Sequence, residues 1–200
     1  MSTLSKSEAK SSQPLVVTKH PLATEAGLEV LRSGGNAMDA AIASCFATEV
    51  VEANSATIGG GGYIVYQMGD SGGVIGGHMP ASMQCVPDMF KLTGKDSTGS
   101  IGFGWAEVKG NANLEGYLSI NVPGVVSAMC ESHKLFGRMP LTDVLVPAIK
   151  LARDGFSPHW HNLYALGLLS DMLFKYEELG NIFMPNGTMP IGDKTYPALL

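Results

Sequence analysis

Four consecutive glycines, Gly59 to Gly62, interrupt the chain between an alanine-rich apolar stretch and the alternating segment Tyr63-Ile64-Val65-Tyr66. Glycine loses more backbone freedom on folding than any other residue and offers nothing to pack, so a run of four needs a physical reason. One reason is an anion cradled by backbone N–H groups. The other is a close pass of the chain against something large. A phosphate loop places its glycines ahead of a helix, with Lys and Ser/Thr at fixed spacing. Here the glycines follow a helical pattern, precede a strand pattern, and no Lys comes after them. Two uses stay open on local grounds: a side-chain-free connector that lets a buried helix pack against a sheet, and the wall of a pocket.

The flanking periodicities set the elements. The β-branched run PLVVTK, 14–19, reads as a strand. Helical spacing over 22–32 places Leu22, Ala26 and Val30 on one face, and Gly34 and Gly35 stop it. Asn36 caps a second helix, 37–51, with Asp39 as a helix-start carboxylate. That helix is apolar all round, which predicts a buried element with close neighbours. Residues 63–68 and 73–77 form a hairpin turning at GDSGG. Residues 80–116 lack a period and are expected to be irregular, and 118–122 reads as a short strand. Pro123 opens a helix ending at Gly137, Thr142 caps another ending at Gly155, and a long helix covers about 159–179. Irregular chain is expected after Gly180. The ending YPALL resembles a first helical turn, so the sequence reads as a piece of a longer protein.

Composition narrows the function classes. Apolar residues make up 45% of the 200 residues and charged residues 16%, enough for a core. The formal charge of −5 argues against a nucleic-acid partner. Cys45, Cys85 and Cys130 form neither a disulfide framework nor a zinc spacing, and Cys45 and Cys130 are expected to be buried thiols. His159 and His161 are too few for a metal site and read as surface or capping residues. One of Glu49 and Glu52 is expected to pair with a cation or with backbone N–H groups. Residues 1–13 read as a disordered polar tail without a signal-peptide core, and no run is long enough to span a membrane, so the expected location is cytoplasmic. No cofactor is implied.

Two blocks carry a family resemblance. GLEVLRSGGNAMDAAIASCFATEVVEANSATIGGGGYIVY and LSINVPGVVSAMCESHKLFGRMPLTDVLVPAIKLARDGFSP resemble, in order and separation, the start of the gamma-glutamyltransferase family. The resemblance implies an N-terminal-nucleophile hydrolase of mixed α/β (α+β) class, a four-layer αββα sandwich of which residues 14–200 hold the N-terminal part. Such precursors cut themselves before a threonine, whose hydroxyl then attacks an amide with its own amine as base. That threonine and the oxyanion donors would lie in a small subunit made from the same precursor, beyond residue 200. The catalytic residues are therefore expected outside this chain. Neither Thr57 nor Ser119 has a His or amine partner in sequence view.

One departure bears on substrate. Family members acting on gamma-glutamyl groups carry Asp-Phe-Arg-Glu after the second strand, and its Arg grips the substrate α-carboxylate. The matching stretch here is Val74-Ile75-Gly76-Gly77-His78-Met79-Pro80, with Gly76 at the Arg position. Gly76, Gly77 and His78 are thus the substrate-binding candidates, and Gly59, Gly60, Gly61 and Gly62 the structural ones. His78 could replace part of the clamp, or be an exposed turn histidine. The expected substrate is an amide other than glutathione, either one with a dicarboxylic acyl side chain or a small amide such as oxamate. The alternatives are a true gamma-glutamyltransferase whose clamp comes from elsewhere, and a non-catalytic homologue with a binding or structural role.

Overall fold

The computed structural model describes residues 10–97, 104–184 and 187–189. Its architecture is mixed helix and sheet. Helices α1 (Pro21–Arg32) and α2 (Ala37–Val51) come first, then the hairpin β1 (Gly62–Met68) and β2 (Ser71–Gly77). A second hairpin, β3 (Leu92–Ser97) and β4 (Trp105–Val108), precedes α3 (Val125–Phe136), α4 (Leu141–Asp154), α5 (Trp160–Leu173) and α6 (Glu177–Phe183).

Alanine explains how the helices meet. Ala23 and Ala26 of α1, Ala47 of α2 and Ala148 of α4 form one buried cluster, and such small side chains let helix axes approach. A Cβ on Gly27 would collide with the Ser44 hydroxyl, so α1 and α2 touch there through glycine. A larger core joins Val30, Met38, Ile42, Met129 and Val144, and the inward residues of β1, Ile64, Tyr66 and Met68, pack onto it. The hairpin therefore lies on α2 and α3 with one face buried. Its other face shows Tyr63, Val65 and Val74 to solvent. A third cluster, around Val51, Phe156, Leu166 and Leu173, seats α5.

Helix ends follow the local chemistry. Asn36 caps α2 in a reciprocal capping box with Asp39. Gly155 leaves α4 with φ 75°, which favours glycine. Other expectations change. Residues 14–19 form no strand and have no ladder partner among the described residues, since β-branching only favours extension and a neighbour is needed to make a strand. The 80–116 stretch holds the antiparallel hairpin β3–β4, which its polar sequence and a shift of register hid. In place of a strand over 118–122, a 3-10 turn covers Tyr117–Ser119. The first hairpin turns tightly at Gly69-Asp70 rather than across GDSGG. Helix α3 starts at Val125 behind Gly124, not at Pro123, and α4 starts at Leu141, leaving Thr142 inside its first turn. The long helix breaks between Leu173 and Glu177, and α6 continues past Gly180 to Phe183. Helix α2 is not covered all round: Ala41 and Cys45 face solvent, as does Cys130 on α3. The expected tail falls mostly, and YPALL wholly, outside the described residues.

Candidate functional site

Three glycines from distant parts of the chain converge where β2 ends. A Cβ on Gly61 would lie 2.7 Å from Met79 Cγ and 2.8 Å from the Gly77 carbonyl oxygen. One on Gly77 would lie 2.6 Å from the Gly124 carbonyl oxygen and 2.7 Å from Ala128 Cβ, and one on Gly124 would strike the His78 carbonyl. Backbone thus packs on backbone. The Gly60 carbonyl accepts the N–H groups of Gly124 (3.1 Å) and Val125 (3.2 Å), so the glycine run satisfies donors at the start of α3. Close approach falls on Gly60 and Gly61. Gly59 and Gly62 have only ordinary contacts. The Val122 N–H donates to the Pro80 carbonyl at 3.1 Å, tying the two chain segments that leave this junction. Gly124 was missed in sequence as a member of the site. The Pro123-Gly124 pair before an apolar helical run was its only signal.

The candidate substrate-binding residues separate into two environments. Gly77 is buried in the junction and admits no side chain. Gly76 is exposed, pairs with Tyr63 across the hairpin, and has no left-handed φ. A Cβ there would meet Tyr63 Cε1 at 3.6 Å and His78 Nδ1 at 3.8 Å, both ordinary contacts. Position 76 can therefore carry an arginine, and here it does not. His78 is exposed beside it.

The other sequence candidates lie elsewhere. Thr57 Oγ1 accepts the Gly59 N–H, and Ser119 Oγ donates to the Gly116 carbonyl, so both hydroxyls serve their own turns. The His159 backbone N–H donates to Asn162 Oδ1 at the start of α5. His161 Nδ1 stands 3.7 Å from Glu52. Glu52, 2% exposed, accepts from Lys19 Nζ at 2.7 Å. Burial raises the Glu49 carboxyl to about 7. Burial lowers His20 despite the nearby Glu52, whose charge works the other way. No group of three or more His, Cys, Asp or Glu among the described residues is arranged to hold a metal.

A family profile described as gamma-glutamyltranspeptidase matches residues 23–196. The chain belongs to the gamma-glutamyltranspeptidase family. It is similar to the acylase ACY 1 proenzyme of Pseudomonas sp. (strain V22), at 37% identity over 155 residues, 77% of this chain and 27% of that one. It is similar to the glutathione hydrolase proenzyme of Bacillus subtilis (strain 168), at 33% identity over 182 residues, 86% of this chain and 28% of that one. The crystal structure of Helicobacter pylori gamma-glutamyltranspeptidase superposes with a TM-score of 0.82 at 29% identity, covering 96% of this chain and 52% of that one. The chain thus spans about a quarter of the length of these curated relatives. Among the described residues no helix is long and apolar enough to cross a membrane.

Proposed function

We propose that this chain is the N-terminal part of the large subunit of a gamma-glutamyltranspeptidase-like amidohydrolase or acyltransferase that acts on a small amide through an acyl-enzyme. In this reading a threonine hydroxyl supplied by the small subunit of the same precursor attacks the amide carbon. Its proton passes to the threonine's own amine and then to the departing amine. Water or an acceptor amine next takes the acyl group. Residues 76–78 form part of the substrate wall, and the junction of Gly61, Gly77 and Gly124 fixes their position. The β1–β2 hairpin with its helices makes one sheet and one helix layer of an αββα sandwich, whose second sheet covers Tyr63, Val65 and Val74. The protein works in the cytoplasm, without nucleic-acid or membrane partners and without a cofactor.

The observation that carries the substrate reading is Gly76: the position is open, exposed and sterically able to hold a clamp, yet bears none. A relative bearing an acylase name is consistent with that choice. A charged hydrogen bond contributes about 1.5–3 kcal/mol, so loss of the clamp weakens glutamyl discrimination by about ten- to a hundredfold. The test compares kcat/KM of the complete processed protein for a gamma-glutamyl anilide and for its analogue lacking the α-carboxylate. Near-equal values are expected. A strong preference for the carboxylate-bearing compound would assign the grip to another group, with His78 beside position 76 the first to replace, and would restore the true transferase. Absence of self-cleavage would favour a non-catalytic homologue.

A further inference from the structure

Past the Val122–Pro80 hydrogen bond the two chain segments diverge around a groove of about 600 Å³. That volume falls within the usual range for a small-molecule site, about 300–1,000 Å³. One wall continues directly from the His78–Pro80 segment through Ser82 and Gln84. The other comprises Tyr117 to Asn121, and half-buried Met89 and Phe90 also line the groove.

Its lining is chemically selective. Among the described residues no charged side chain contributes to it. The nearest charges in sequence are spent on each other: Lys91 on Asp88 at 2.7 Å, and Lys175 on Glu115 at 3.0 Å. The Lys175–Glu115 pair also ties the turn before Tyr117 to the chain just after α5. The groove instead offers three side-chain amides, Gln84, Asn113 and Asn121, none with a hydrogen-bond partner among the described residues. Each amide group both donates and accepts, which matches another amide and cannot balance a carboxylate's charge. Tyr117, 95% exposed, stands at the edge as an aromatic surface.

We propose that this groove is the subsite for the uncharged amide-bearing end of the substrate, read by Gln84, Asn113 and Asn121. The inference rests on the reading that residues 76–78 border the reacting amide, and it specifies what lies further along the same wall. A substrate with a neutral carboxamide end is held there. One with a carboxylate end is disfavoured, because no cation lines the described part of the groove to balance its charge.

Cys85 lines the groove and is exposed, whereas Cys45 and Cys130 lie on α2 and α3, which makes it a local reporter. The complete protein is treated with N-ethylmaleimide in the presence of glutaramide or of glutarate, and modification of each cysteine is followed by peptide mass spectrometry. Glutaramide is expected to slow modification of Cys85 saturably, by about fourfold at three times its dissociation constant, and to leave Cys45 and Cys130 unchanged. Glutarate is expected to have no effect, and Asn113→Ala and Gln84→Ala each to weaken the protection. Equal protection by glutarate, equal slowing at all three cysteines, no protection of Cys85, or protection undiminished in both variants would overturn the proposal. The readout needs no turnover. Selective protection with a carboxylate-preferring enzyme would reject the substrate reading alone, and loss of protection with a carboxylate-indifferent enzyme would reject the groove alone.

Discussion

Asp39 is fully buried, and its carboxylate accepts the backbone N–H of Asn36 at 2.9 Å, of Arg138 at 3.1 Å and of Met139 at 3.3 Å. One side chain thus closes the cap of α2 and holds the turn between α3 and α4. Asp39→Asn is isosteric but points an NH₂ group at backbone donors. The expected cost is about 3 kcal/mol, read by urea unfolding of the complete protein. Glu52 uses its buried charge differently. Lys19→Met would strip its cation and cost about 3 kcal/mol, the low end for a broken buried pair because Lys19 is itself half exposed. Glu49 gives a pH signature. Its folded value of about 7 lies above an unfolded value of about 4.3, so the native state binds the extra proton. That contribution is full below about pH 4.3 and is lost as pH rises to 7. His20, held neutral by burial, acts in the opposite sense and loses stability as pH falls below about 6.5. The difference between wild type and Glu49→Gln isolates the first effect. The wild type is expected to lose stability relative to the variant between pH 5 and 7, and parallel curves over that range would refute the assignment.

Elements meet here through missing side chains. The start of α3 seats on Gly60 by two N–H bonds, and the end of β2 passes Gly124 with no room for a methyl group. Gly61→Val and Gly77→Ala must displace backbone rather than a flexible side chain. Each is expected to destabilise by about 3 kcal/mol or more and to impair precursor maturation. Gly59→Ala and Gly62→Ala are the controls, with ordinary contacts and no positive φ. Thermal melting of the four variants checks the contrast, and equal losses across the run would remove the close-packing account. The glycine cluster was legible as a connector, and Gly60 and Gly61 as its pair intolerant of bulk, but what they pack against was not. That depends on where residues 77–79 and 124 come to lie, and no local pattern encodes a contact across more than sixty positions.

For the whole molecule, the outward face of the first hairpin and the open side of α2 show that these elements leave apolar surface uncovered. Residues 1–200 alone are expected to hydrolyse no gamma-glutamyl anilide, and turnover by the purified chain would place a nucleophile within it. In the complete protein, Gly76→Arg is expected to raise preference for the carboxylate-bearing anilide by about tenfold, the value of one charged hydrogen bond. An unchanged kcat/KM ratio would mean that position 76 does not face the substrate. Periodicity, caps and two long motif blocks determined helices α1 and α2, the first hairpin and the family, because those signals are local and need no partner to be read. The sequence also pointed to one of Glu49 and Glu52 as a paired carboxylate, which the structure shows to be Glu52, and to Asp39 as a helix-start residue. Only the tertiary structure decided that 14–19 lacks a strand neighbour among the described residues, that Cys45 faces outward, that Gly77 is closed while Gly76 is open, and that neutral amides line the groove beyond Pro80. Each of those depends on which distant segment comes alongside, and that is set by packing of the whole chain rather than by any residue's own preference.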